Sequence, residues 1–297
     1  MATIKRNAAL HSGLPIATVL LGVLVLWYAG AVWLNAPGAI ERVLSPRGTA
    51  WSWADLVQTT LSMQRPVLPS PQQVAQDFWS SLVDWPVDSP RNLLFHVAVT
   101  AHSSLLGFAM GTLFGLLLSA GIVHSRTLDR ALMPWIVASQ TIPVLAIAPI
   151  VLVILGSLGF SGVWPKAVIA MYLCFFPVTV AMVQGLRSPQ KIDTELLYTY
   201  AASRWQAFWV LRVPAALPFL FPALRVGIAA SLVGAMVAEL PTGAQAGLGA
   251  KLLLGSYYGN TVAIWSALLM SALLGLALTA AVLGVERLVL RRFGGRA

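Results

Sequence analysis

Six stretches of this chain are so long and so apolar that few folds can hold them. They run roughly over 14–35, 94–123, 132–156, 165–185, 216–240 and 261–285. A helix crosses a bilayer with about 20 mostly apolar residues. Inside lipid every backbone amide and carbonyl must be satisfied within the protein, which favours helices. The expected fold class is therefore all-α, integral to the membrane, with six spanning helices and lipid as a constant partner. Composition supports this over a soluble domain: 58% of residues are hydrophobic and 10% charged, against about 45–50% and about 25% in soluble proteins.

Lysine and arginine placement sets an orientation. With the N-terminus inside, Lys5, Arg6, Arg126, Arg130, Arg187, Lys191, Arg204, Arg212, Arg287, Arg291, Arg292 and Arg296 fall inside. Arg42, Arg47, Arg65, Arg91, Lys166 and Lys251 fall outside, so twelve bases face six. That excess fits the positive-inside rule and puts both termini in the cytoplasm. The first apolar run, Leu14 to Leu34, exceeds the short core of about 7–15 residues in a cleaved signal peptide. It reads as the first span.

The same residues exclude several functions. The net charge of +9 is explained by helix-end bases and comes without an aromatic-rich basic stripe, so no nucleic acid is expected. A lone cysteine, Cys174, and scattered histidines offer no metal site. No Ser-His-Asp or paired-carboxylate constellation exists, so no catalytic residue and no cofactor is assigned. The run GAQAGLGAKLLLG departs from a phosphate loop, since Gly249 is followed by Ala250, Lys251 and Leu252, not by the required Gly-Lys-Ser/Thr.

Four regions follow. Residues 1–35 hold the tail and first span. Residues 36–93 form an extracytoplasmic segment, with a short amphipathic helix starting at Ser70 (N-cap) and Pro71. Residues 94–290 make a five-helix core that includes a cytoplasmic loop, 187–214. Residues 291–297 are a basic tail.

That loop is the one polar island in the core. Ser188 and Pro189 open a first short helix through IDTELLYTY. Ser203 and Gln206 form a capping box for a second, and Pro214 breaks it. Arg204, Trp205, Phe208 and Trp209 form an exposed knob on this second helix. Such residues anchor protein interfaces or rest at a lipid interface, and both readings stand.

The loop resembles the E-A-A-x3-G-x9-I-x-L-P signature of permease subunits in bacterial ABC importers. Glu195 stands at the E, Ala201 at the G, Leu211 at the I, Val213 at the L and Pro214 at the P. Leu196 and Leu197 replace the alanines, and Ala201 replaces a glycine that normally permits φ > 0. The stretches LPSPQQV, LLGFAMGTLFGLLLSAG, LRVPAALPFLFPALRVGIAASLVGAMVAE and AGLG resemble the nitrate, sulfonate, taurine and bicarbonate branch. The resemblance implies a type I-like permease in a bacterial inner membrane that is not itself an enzyme. It implies a second permease copy, two cytoplasmic ATPase subunits and an extracytoplasmic solute-binding protein. Glu195, Ala201, Ser203, Arg204, Trp205, Phe208, Leu211, Val213 and Pro214 would then couple to the ATPase. The solute would be a small anion, or alternatively a thiamine or pyrimidine precursor. The alternative of another class is an integral membrane enzyme or scaffold, which the absent acid–base cluster and the match at the loop disfavour; a self-sufficient secondary transporter would not need that loop.

Several residues within the spans are candidates for the solute path or gate. Ser139, Gln140, Thr141 and Pro143 place polar groups and a helix breaker in the third span, where they could equally serve helix packing. Arg225 lies about two turns into the fifth span, where it either snorkels toward the cytoplasmic headgroups or, the favoured reading, makes a buried pathway or inter-helix contact. Glu239 ends that helix. It reads first as a plain helix-end carboxylate and otherwise as a partner for Lys251, the binding protein or the solute.

Overall fold

A computed structural model describes residues 2–48, 50–241 and 246–292, of which 2–14, 47 and 292 are described by backbone alone. Thr242–Gln245, which include the first three residues of the rejected phosphate-loop run, and most of the basic tail lie outside the described residues. Among the described residues every regular element is helical. Five helices are long and apolar enough to cross a membrane, six if one bent pair counts as a span.

The chain divides into two compact units, one of residues 1–92 and 251–269, the other of 93–250 and 270–297. The first unit opens with α1 (Ala2–Ala39), longer than the expected span and prolonged by a π-helical turn, Ile40–Leu44. Helix α2 (Trp53–Leu61) starts on a capping box of Ser52 and Asp55, a signal the sequence reading passed over. Helix α3 (Pro71–Val83) starts where expected, with Ser70 and Gln73 satisfying each other's backbone amides. Asn35 of α1, fully buried, donates to the Leu68 carbonyl at 2.8 Å and accepts from the Val67 amide at 2.7 Å. Trp27 Nε1 donates to the Pro69 carbonyl at 3.0 Å. These bonds fasten the loop before α3 to the first span.

The second unit is built on α4 (Leu93–His124), α7 (Val163–Leu186) and α10 (Val213–Glu239). Three glycines spaced by four, Gly107, Gly111 and Gly115, fall on one face of α4 and meet α7. A Cβ on Gly107 would lie 2.3 Å from Ala170 Cβ, and one on Gly111 2.7 Å from Cys174 Cβ. Apolar lipid offers no hydrophobic drive between helices, so close backbone approach through small residues is what holds them.

The third expected span is two helices, α5 (Arg126–Ser139) and α6 (Val144–Ser157), bent by 103° at Gln140–Pro143. Pro143 disfavours helical backbone at Ile142. Ser139 and Thr141 hydroxyls donate to the Ile136 and Ala138 carbonyls at the bend, the latter also accepting from the Thr141 amide. The remaining helices are α8 (Lys191–Thr199), α9 (Arg204–Ala207), α11 (Leu248–Tyr257) and α12 (Thr261–Arg292).

The glycine seam is testable by adding one methyl. Gly107→Ala should cost about 1–3 kcal/mol through overpacking and lower the thermal midpoint in detergent. Gly22→Ala, with nothing within 4 Å of the new carbon, should leave it unchanged.

Candidate coupling segment and polar cluster

Between α7 and α10 the backbone makes the two short helices expected, with two corrections. Helix α8 begins on Gln190, where Gln190 and Asp193 form the capping box, not at Ser188. The second helix does not end at Pro214. Helix α9 passes through a π-helical turn, Phe208–Arg212, directly into α10. A proline clashes with the carbonyl four residues back. The wider turn bonds the Val213 amide to the Phe208 carbonyl and takes up the strain locally.

Ala201 answers the question its sequence position raises. Its φ is +54°, the only positive φ of a non-glycine among the described residues. The Ala201 amide donates to Tyr198 and the Ala202 amide to Leu197, the paired bonds of a Schellman ending. Alanine thus makes the turn that glycine makes more cheaply. Ser203 caps α9 with Gln206 as expected.

The aromatic knob is divided. Trp205 and Trp209 are exposed, stacked with ring centroids 6.2 Å apart. Phe208 is 6% exposed and packs with Cys174, Val178, Met182 and Leu186 of α7. It belongs to the core and not to the exposed surface, because its ring is covered by α7 while the indoles beside it are not. His124, the last residue of α4, lies beneath, its ring 4.8 Å from Phe208 and 5.8 Å from Trp205. Arg187 pairs with Asp129 at 2.8 Å, tying the end of α7 to the start of α5. Glu195 is exposed and pairs only locally with Lys191 at 3.7 Å. Arg204 and Pro214 are exposed, while Leu211 and Val213 are half-buried.

A second polar site lies at the other end of α4. Glu239 is fully buried, so it is not a plain helix-end carboxylate. Its partner is Lys166 of α7, 3.7 Å away, not Lys251. Thr100 Oγ1 donates to the carboxylate at 2.9 Å, and the Gly249 amide donates to it at 2.8 Å. The Leu248 amide donates to Thr100 Oγ1 at 2.8 Å, the Gly247 amide to His96 Nδ1 at 3.0 Å, and Lys166 Nζ to the Ala246 carbonyl at 3.2 Å. The glycines are required here: a Cβ on Gly247 would sit 2.2 Å from the Glu239 carboxyl carbon. The clue available in the sequence was the glycine-rich AGLG after Glu239. Nothing local pointed to Thr100 or Lys166.

Lys166 also lines a cavity of about 820 Å³ among α4, α6 and α7, with Phe95, His102, Ser103, Phe160 and Ala246. Ser139, Gln140, Thr141, Pro143 and Arg225 do not line it. The first four sit at the α5–α6 bend, largely exposed, and Tyr172 OH donates to the Ser139 carbonyl. Arg225 meets Glu286 of α12 at 3.3 Å, the inter-helix contact that its intramembrane position called for. In the first unit, burial holds the Lys251 ammonium below the usual lysine range, with Asp77 opposing that effect.

The chain is thus an all-helical, multi-pass membrane protein with a capped polar loop between two of its spans. Residues 111–295 match the family described as binding-protein-dependent transport system inner membrane component. The chain is 32% identical to the riboflavin transport system permease protein RibX of Chloroflexus aurantiacus, over 94% of this chain and 89% of that one. It is 33% identical to the formylaminopyrimidine transport permease protein ThiX of Halalkalibacterium halodurans, over 75% and 85%. It is 27% identical to the taurine transport system permease protein TauC of Escherichia coli, over 64% and 67%. The chain belongs to this family: it is the permease subunit of an ABC importer, not an enzyme, and its partners are an ATPase and a binding protein.

Two predictions follow from the geometry. Ala201→Gly should keep or slightly raise stability, while Ala201→Val, β-branched at positive φ, should lose about 1–3 kcal/mol, read by thermal melts. For the intramembrane pair, Arg225→Leu alone should destabilise more than Arg225→Leu with Glu286→Leu, because the single change strands a charge. A double-mutant cycle on melting midpoints reads that coupling.

Proposed function

We propose that this permease imports a planar heteroaromatic solute, of the flavin or aminopyrimidine kind, across a bacterial inner membrane. The observation that carries the reading is the cavity. At about 820 Å³ it falls within the usual size of small-molecule sites. Phe95, Phe160 and His102 supply ring faces, and Lys166 with Ser103 supplies donors. A nitrate or taurine would leave most of that apolar wall uncovered. The relatives named for riboflavin and formylaminopyrimidine are 32% and 33% identical, against 27% for the taurine permease, which supports the same choice.

Two copies of the chain form the pore, with both termini in the cytoplasm. Segment 187–214 docks on the ATPase through Trp205 and Trp209, with Arg204 beside them and Glu195 on the preceding helix. Ala201 and Ser203 set the angle of the docking helix. Leu211, Val213 and Pro214 join it to α10. Because α9 runs into α10 without a break, a tilt imposed by the ATPase passes as a rigid-body motion into the membrane. Phe208 and His124 hold the docking helix against α7 and α4.

Uptake by the permease reconstituted with its ATPase and binding protein tests this. Labelled riboflavin and aminopyrimidine should compete for ATP-dependent uptake, and nitrate, taurine and sulfonates should not. Uptake of the anions alone would favour the small-anion reading and overturn this one. Trp205→Ala with Trp209→Ala should cut uptake at least tenfold without changing the melting midpoint. Unchanged uptake would remove the docking role.

A further inference from the structure

The cluster around Glu239 takes no part in the coupling segment, yet it joins three helices and one loop through buried polar groups. Three consecutive amides, those of Gly247, Leu248 and Gly249, each donate to a side chain of α4 or α10. The carbonyl before them, of Ala246, accepts from Lys166 of α7. Four side chains from three helices thus hold one short loop by its backbone. Gly247 has φ of +126°, and a Cβ on Gly249 would lie 2.2 Å from the Met236 carbonyl oxygen. No side chain separates the loop from the carboxylate.

A buried ion pair contributes little net stability compared with apolar packing of similar volume, and Glu239 and Lys166 are 0% and 7% exposed. Hydrogen bonds to a backbone, unlike interlocked apolar side chains, can be exchanged one for another with water or a solute group. The loop is also a wall of the cavity, through Ala246. Lys166 lies in both places, lining the cavity and bonding the loop.

We infer that residues 246–249 are a gate in the cavity wall, latched shut by Glu239, Lys166, Thr100 and His96. Lys166 is the catch. A solute bearing a carbonyl or carboxylate oxygen takes the ammonium from the Ala246 carbonyl, and the cavity's contents thereby weaken the latch. The inference rests on the importer reading above for the solute, but the latch itself can be tested without one.

The test uses Ala246→Cys in a Cys174→Ser background, assembled with the ATPase and binding protein in lipid nanodiscs. The rate of reaction with a soluble fluorescent maleimide reports exposure of position 246. It should be slow in this parent. It should rise at least tenfold on adding Glu239→Gln, Lys166→Met or Thr100→Val, and stay slow with Lys166→Arg. ATP hydrolysis by the three opened variants should no longer need the binding protein, a change that lost packing alone would not produce. Fast labelling in the parent, or the parent rate in all three variants, overturns the latch. If Glu239→Gln fails to assemble, Thr100→Val, which removes a single hydroxyl, decides the matter. A parent whose hydrolysis does not respond to the binding protein counts against the importer reading, and the labelling rates still judge the latch.

Discussion

The second unit depends on how closely α4 and α7 approach. Gly107, Gly111 and Gly115 present bare backbone to Ala170, Cys174 and Val178, with no room for a methyl group at the first two positions. Where both the helices and their solvent are apolar, association comes from packing and from the few polar contacts that packing permits. Helix α10 joins the same seam through Gly227 and Gly234, whose added carbons would meet Cys174 and Ala170. A glycine stripe makes three long helices into one block.

Two polar sites hang on that block. Thr100 and His124 lie 24 residues apart on α4, about 36 Å along its axis. The first helps hold the loop 246–249, and the second supports Trp205 and Phe208. A displacement of this block reaches both ends, because α10 carries Glu239 at one terminus and continues from α9 at the other. In close-packed helices such a displacement is carried by rigidity and needs no separate long-range signal.

Much of the architecture was legible from residues near one another in the chain. Apolar run length marks the spans, and the Ser70–Gln73 and Ser203–Gln206 boxes mark helix starts, because caps act over three residues. The spacing from Glu195 to Pro214 pointed to a capped loop that the backbone does form. Errors arose where a local rule met a neighbour. Pro214 predicted a break, but a π-helical turn absorbs it. Phe208 matched the exposed type yet faces Met182 and Leu186. The third span looked continuous in hydropathy, which does not register the backbone restriction before Pro143.

The sequence alone determined that this chain spans a membrane several times and carries a capped polar loop between spans, properties that reside in composition, run length and short spacings; its place among importer permeases came from resemblance to that family. Only the tertiary structure decided what Glu239 and Arg225 touch. Glu239 meets Thr100, 139 residues away, and Arg225 meets Glu286, 61 residues away. Such pairs depend on the rotation and depth at which helices pack. In this protein those are set by where glycine lets one backbone touch another, and hydropathy carries no record of that.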